Sequence, residues 1–322
     1  MAGPDPARFQ GIPSIIYGTA FKFEKSASLV EAALNAGFRA IDTAGSQSAY
    51  REALVGKGLA AALTSGAFER SELYIQTKFS PFKSGKDPAS YPYDTTKSIP
   101  EQVAESVESS LVNLGVAYLD CLVLHSLYPD IQDTLTAWKA METLVPSKVA
   151  SLGVSNTDLQ SLRRICEVAI VWPSAVQNRF TQDTIDRPNP TFPSDLPYPL
   201  VTFDRDVREY CRRHRIAYAP WGLLWGSLEV LNGPEQLISK AGQEVGISKE
   251  IACFACMRGL GGCQISILCG TSNEGRMHET LEGLAKVERY LAESKEHREK
   301  WKGFVDRLRV VIDGGETLAS DG

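Results

Sequence analysis

The chain has 322 residues, of which 43% are hydrophobic and 23% charged, an ordinary globular composition. A net charge of -5 and a pI near 5.6 exclude the global basic field that draws proteins to nucleic acid or anionic lipid, so neither is expected as a partner. No apolar run approaches the ~20 residues of a membrane helix, and the opening Met1–Arg8 has no signal-peptide core, so a cytoplasmic protein that does not enter the membrane is expected.

In chain order, strand-like and helix-like runs alternate. Ile12–Gly18 precedes a helical pattern over Ser26–Ala36, with Gly37 as its C-cap signal. Phe38–Ile41 precedes a helix over Tyr50–Leu63. Leu73–Thr77 leads through a long loop to Ser98–Leu114, where Ser98 and Glu101 make a capping-box signature, Pro100 sits in the first turn and Gly115 ends the run. Leu119–Leu124 precedes Ile131–Leu144, Val149–Val154 precedes Thr157–Val168, and Ala175–Asn178 precedes Asp206–His214. Ile216–Ala219 precedes a helix around Ser248–Met257, and Gln264–Cys269 precedes Glu274–Ala285.

Eight short apolar strands with helices between them predict an α/β protein, a (β/α)8 TIM-type barrel with C-terminal surface helices. An open doubly wound sheet is less suited, because no GxGxxG follows the first strand. One barrel domain is expected over 1–322. Residues 282–313 read as appended C-terminal helices, 314–322 as a tail, and Pro-rich Arg187–Leu200 as an extended loop. Seven cysteines argue against a disulfide framework, and the lone Cys253-Phe-Ala-Cys256 has no partner pair, so it reads as core packing and no metal is expected.

The strand ends carry the chemistry. Asp42, Lys78 and His125 each close an apolar run, and Tyr50 sits where the following helix begins. If those runs are neighbouring parallel strands, an acid, an amine, an imidazole and a phenol meet at one rim. That set can hand a proton to a carbonyl oxygen while hydride reaches its carbon. Taken singly, each residue also has a structural reading. Asp42 can cap a turn, Tyr50 can be a half-buried aromatic, Lys78 can belong to a structural ion pair and His125 to the core. Ser155-Asn156 can be a helix N-cap and Arg276 a solvated helix face.

Asp42-Thr-Ala, Tyr50-Arg-Glu-Ala-Leu-Val-Gly56, Gln76-Thr-Lys78 and Leu124-His125-Ser126 resemble, in order, the aldo-keto reductases. So do Gly153-Val-Ser-Asn156, Gln177-Asn178 and Ile267-Leu-Cys-Gly-Thr271 with Arg276. The resemblance runs over roughly residues 12–285. It implies a barrel that reduces aldehydes or ketones with NADPH, NADH being the alternative donor, on a small-molecule carbonyl substrate. It carries catalytic roles to Asp42, Tyr50, Lys78 and His125, with Lys78 favouring phenolate, Asp42 holding Lys78 charged and His125 orienting the carbonyl. It carries cofactor contacts to Gly18, Thr19, Asp42, Ser155, Asn156 and Gln177. Tyr218 matches the ring stacked on the nicotinamide, Arg276 the cation on the 2′-phosphate, Thr271 the hydroxyl beside it, and Glu279 an adenine contact.

Three departures stand out. Seven residues, Thr43–Ala49, separate Asp42 from Tyr50 where the family commonly has four. Gly270 stands where a phosphate-binding lysine is common. Ala20 and Phe21 follow Gly18-Thr19 in place of a tryptophan. The aromatics Tyr91, Tyr93, Trp221 and Trp225 either wall a substrate pocket or anchor their loops. Two further functions fit the same barrel: a cofactor-binding regulatory subunit of a membrane channel, and carbonyl chemistry without net redox change. A monomer or weak homo-oligomer is expected.

Overall fold

The computed structural model of the protein describes residues 12–66, 68–181, 203–233 and 235–313. Arg187–Leu200, 314–322 and Met1–Arg8 lie outside the described residues. The elements run β1 (Ile15–Gly18), α1 (Ser26–Ala36), β2 (Ala40–Asp42), α2 (Glu52–Thr64), β3 (Tyr74–Phe79), α3 (Ile99–Leu114), β4 (Leu119–Leu124), α4 (Ile131–Glu142), β5 (Val149–Ser155), α5 (Leu159–Val168) and β6 (Ala175–Gln177). They continue with α6 (Arg205–His214), β7 (Ala217–Tyr218), α7 (Leu228–Leu231), α8 (Leu237–Val245), α9 (Lys249–Gly259), β8 (Ile267–Cys269), α10 (Glu274–Glu293) and α11 (Lys295–Ile312). This is the βα alternation expected of the α/β class.

The chain forms two compact units, one of Met1–Gln177 with Leu268–Met277, the other of Asn178–Ile267 with His278–Gly322. In the first, β1 to β6 are hydrogen-bonded in sequence order, and Leu268–Cys269 of β8 lies beside β1. Every registered pair among them is parallel, with Gly18 opposite Asp42, Asp42 opposite Gln76 and Lys78 opposite Val123. Parallel strands need crossovers, and the helices that supply them cover the sheet. For that reason β3 and β4 are buried at every position. Local signals place the helix ends. Gly37 and Gly115 take the left-handed conformation, at φ 117 and 66, that closes α1 and α3. Ser98 and Glu101 form the reciprocal capping box that starts α3, the Ser98 N–H donating to Glu101 Oε2 at 3.0 Å.

The second unit holds β7, bridged in parallel from Tyr218 to Ile265, and helices α6 to α9 and α11. α11 buries Trp301, Val305, Leu308 and Ile312, a stripe at helical spacing, and Arg208 on α6 pairs with buried Asp313 just past its end. Two helices, α7 and α8, were not anticipated from the sequence. Glu274–Ala285 and the start of the charged stretch after it form one continuous helix, α10, so the appended helix begins only with α11. Cys253 and Cys256 are buried within α9, where burial pushes the Cys253 thiol up to about 12.

Candidate active site

β2 and β3 place the central pair. Asp42 is the last residue of β2 and lies in register with Gln76, so Gln76 and Lys78, two residues apart on β3, point to the same face as the carboxylate. Lys78 Nζ donates to Asp42 Oδ2 at 2.7 Å and to the Thr43 carbonyl at 2.8 Å. Both partners have side chains only 2% exposed. Asp42 Oδ1 accepts from Gln76 Nε2 at 2.6 Å and from Gln177 Nε2 at 3.4 Å. The Asp42 main-chain carbonyl takes the Thr19 N–H at 3.0 Å and the Thr19 hydroxyl at 2.9 Å, which ties the end of β1 to the pair.

Tyr50 reaches this pair despite the longer loop. Its hydroxyl lies 3.5 Å from Lys78 Nζ, and the ammonium sits 4.9 Å from its ring centroid. The segment Thr43–Ala49 is held at several points. The Gln47 N–H donates to the Ser90 carbonyl at 2.9 Å and the Phe21 N–H to the Ala49 carbonyl at 2.7 Å. Arg51 Nη1 closes the turn on the Tyr50 carbonyl at 2.8 Å. The backbone thus absorbs the extra residues and delivers a buried phenol. His125 follows β4 directly, its N–H donating to the Phe79 carbonyl at 2.8 Å. Its ring stands edge-on to Tyr50, centroids 5.9 Å apart.

The charges follow from burial. For Lys78, burial disfavours the ammonium, but Asp42, with Tyr50 adding to it, outweighs that and raises its pKa. For Tyr50, burial raises the phenol pKa and outweighs the lowering by Lys78. Lys78 lowers the phenol as expected, but burial outweighs it, and the phenol stays protonated. His125 is held well below its ordinary value, by burial first and then by Lys78 and Lys83, and is neutral.

The residues matched to cofactor contacts lie as follows. Ser155 ends β5, its hydroxyl donating to the Gln177 carbonyl at 2.6 Å. Asn156, at φ 55, donates from Nδ2 to the His125 carbonyl at 2.8 Å. Neither is the N-cap of α5, which is Asp158. Gln177 Oε1 is buried with no hydrogen-bond partner among the described residues. A buried acceptor of that kind fits a carboxamide N–H, so the residues present suit a nicotinamide. Thr271 is tied to β1 through its carbonyl, which accepts from Tyr17 OH at 2.9 Å. Arg276 is exposed in the first turn of α10, its N–H donating to Asn273 Oδ1 at 2.9 Å. In the second unit, Tyr218 is fully buried and its hydroxyl donates to Asp204 Oδ2 at 3.0 Å; Glu279 is exposed on α10.

Several residues escaped the sequence reading. Gln76 shares the Asp42 carboxylate. Glu52 on α2 is buried and accepts from Thr77 Oγ1 at 2.5 Å, and the periodicity of its helix gives no hint of that contact. Ser80 Oγ lies 2.6 Å from His125 Nδ1. Lys22 matters for the departure at Gly270. It is half-buried, its Nζ donates to the Gly270 carbonyl and, at 3.0 Å, to Ser272 Oγ, and it has no ion pair among the described residues. The ammonium stands 4.0 Å from where a Cβ on Gly270 would be, so a cation from the loop after β1 stands beside Gly270. Among the aromatics, Tyr93 is an anchor, its hydroxyl donating to the Ser80 carbonyl at 2.7 Å. Trp221 and Trp225 lie tilted together, and Arg179 approaches both rings.

Residues 14–286 match the model of the aldo/keto reductase family. The chain belongs to that family, and so is an NAD(P)H-dependent oxidoreductase with a (β/α)8 barrel fold. It is 29% identical over 267 residues to a D/L-glyceraldehyde reductase of Hypocrea jecorina, covering 73% of this chain and 70% of that one. The aldose reductase of Giardia lamblia superposes with a TM-score of 0.68 at 19% identity, over 97% of this chain and 96% of that one. An aldo-keto reductase, AKR2E5, complexed with NADPH, superposes with a TM-score of 0.64 at 18% identity, over 85% and 83%. Among the described residues no helix is long and apolar enough to cross a membrane, and no group of His, Cys, Asp and Glu is placed to hold a metal ion.

Proposed function

We propose that this enzyme reduces an aldehyde or ketone with an apolar or aromatic body to its alcohol, taking hydride from NADPH, with Tyr50 as proton donor. The observation that carries the reading is the buried chain from Asp42 to Lys78 to Tyr50, 2.7 and 3.5 Å between successive polar atoms, with neutral His125 against the phenol. When bound, the cofactor supplies a hydride to the carbonyl carbon. Ser155, Asn156 and Gln177 are the residues suited to hold its carboxamide. Arg276, with Lys22 beside the Gly270–Ser272 loop, is suited to a phosphate, and a relative of known structure binds NADPH.

The residues divide the rest of the work. A raised phenol pKa is compatible with the role, because Tyr50 then carries its proton at neutral pH. An alkoxide is a far stronger base than a phenolate, so the proton moves once hydride has arrived. Lys78 stabilises the phenolate left behind, and Asp42 keeps Lys78 charged. His125, being neutral, orients the carbonyl without competing as a cation. The rings of Tyr91 and Phe82, in contact in the loop after β3, support an apolar substrate body.

The test is loss of NADPH absorbance with a panel of aromatic and aliphatic aldehydes, wild type beside Tyr50→Phe. Turnover falling about a hundredfold or more, while NADPH still binds, is the expected result. Unchanged turnover in the variant would remove Tyr50 from the mechanism.

A further inference from the structure

His125 has two ring nitrogens, and a neutral imidazole carries one hydrogen between them. Nδ1 lies 2.6 Å from Ser80 Oγ, and Nε2 makes no hydrogen bond among the described residues. Ser80 is buried, and this is the one hydrogen bond of its hydroxyl among the described residues. Two arrangements compete. If Nδ1 carries the hydrogen, it donates to Ser80, the serine hydrogen has no acceptor in a buried place, and Nε2 presents a lone pair to the site. If Ser80 donates to Nδ1, its hydrogen is used, and the one donor left unmatched is Nε2–H, on a ring that is only half-buried. A donor without an acceptor costs more on the buried serine than on the half-buried imidazole, which favours the second arrangement.

The surroundings of Ser80 are built to hold it. Its carbonyl accepts from the Tyr93 hydroxyl at 2.7 Å, and Tyr93 packs on Phe79 with ring centroids 5.5 Å apart. The His125 backbone is fixed as well, its N–H on the Phe79 carbonyl and its carbonyl taking Asn156 Nδ2, both at 2.8 Å. An imidazolium is disfavoured by burial and by Lys78 and Lys83.

We propose that Ser80 is a positioning residue that fixes His125 in the Nε2–H tautomer, so that the imidazole donates a hydrogen bond to the substrate carbonyl oxygen. The role of that donor rests on the reductase reading above; the tautomer itself does not. The end of β3 then governs both polar partners of the carbonyl, Lys78 through Tyr50 and Ser80 through His125.

The experiment is ring-nitrogen NMR of the NADPH-bound wild-type enzyme with 15N-labelled histidine, the His125 signals being assigned by their loss in His125→Asn. The chain has four histidines, so the spectrum is tractable. A pyridine-type Nδ1 with a pyrrole-type Nε2 is expected, and the reverse assignment overturns the proposal whether or not any aldehyde is turned over. Ser80→Ala should mix the tautomers and lower kcat about tenfold with NADPH affinity unchanged, and Ser80→Thr should restore both. If Ser80→Ala leaves the ring signals and kcat as in wild type, Ser80 has no such role. A wild type with the expected tautomer but no turnover of any carbonyl would refute the reductase reading and leave the tautomer assignment standing.

Discussion

Replacing Asp42 by Asn tests whether the Lys78–Asp42 pair organises the site. At 2.7 Å the two charges attract by about 6 kcal/mol at an effective dielectric of 20, before the cost of taking both out of water. That cost offsets much of the attraction, so the pair itself contributes little net stability. Breaking it is a different matter. Asp42→Asn leaves a buried ammonium facing an amide and the Thr43 carbonyl, and removing one partner of a buried pair costs about 3–5 kcal/mol. Lys78→Met strands the carboxylate and should cost a similar amount, although Gln76 and Gln177 soften it. In the double variant neither charge remains, so its loss should fall short of the sum of the two by about 2 kcal/mol. Urea unfolding of the four proteins reads this coupling. The pH dependence gives a second reading. In wild type the Lys78 pKa is raised by its partners, so its contribution is present below the unfolded value and is lost as pH rises through the folded one. In Asp42→Asn burial acts on Lys78 without its carboxylate, its folded pKa falls below the unfolded value, and the variant gains stability as pH rises from neutral towards ~10. Additive losses, with no change in pH dependence, would refute the reasoning.

Four other variants probe separate parts of the chain. Burial pushes the Asp204 carboxyl up to about 7, with Asn178 and Tyr218 donating to it. An acid whose folded pKa lies above its unfolded ~3.9 gives stability that is full below that value and is lost as pH rises through the folded one, about 4 kcal/mol in all. Asp204→Asn should therefore flatten the decline between pH 4 and 7, read as urea midpoints across that range. Gly56→Ala puts a Cβ 1.9 Å from the Asn113 carbonyl where α2 meets α3, and should destabilise by about 3 kcal/mol, seen as a lower thermal midpoint. Arg276→Ala and Lys22→Ala should each weaken NADPH about tenfold and NADH less. Equal losses for both cofactors in a binding titration would place those cations away from the 2′-phosphate.

The strands and most helices were legible because each carries a local signal: apolar runs with helices over them, Gly37 and Gly115 as stops, Ser98 and Glu101 as a box. α7 and α8 were not, the first having four residues and the two being separated in sequence by Gly233 and Pro234; α10 was cut at Ala285 although Leu284, Val287 and Leu291 carry its apolar spacing onward. Asp42, Lys78 and His125 stood out because polar groups that close apolar runs are conspicuous, and Tyr50 because an aromatic stands where the next helix begins. Their partners did not. Gln76 and Ser80 are uncharged residues of β3 and its end, and their meaning arises only when the parallel register sets Gln76 beside Asp42 and brings Ser80 to His125. Lys22 shows the same limit from the other side. Read along the chain, Gly270 is a lost cation; read in space, the ammonium is supplied by a residue almost the whole chain away, because β1 and β8 are neighbours. The direction of the Tyr50 shift makes the point for energetics. Sequence says that a lysine is near the phenol, but whether attraction or desolvation wins depends on how completely both are buried, and here burial outweighs Lys78 and raises the phenol.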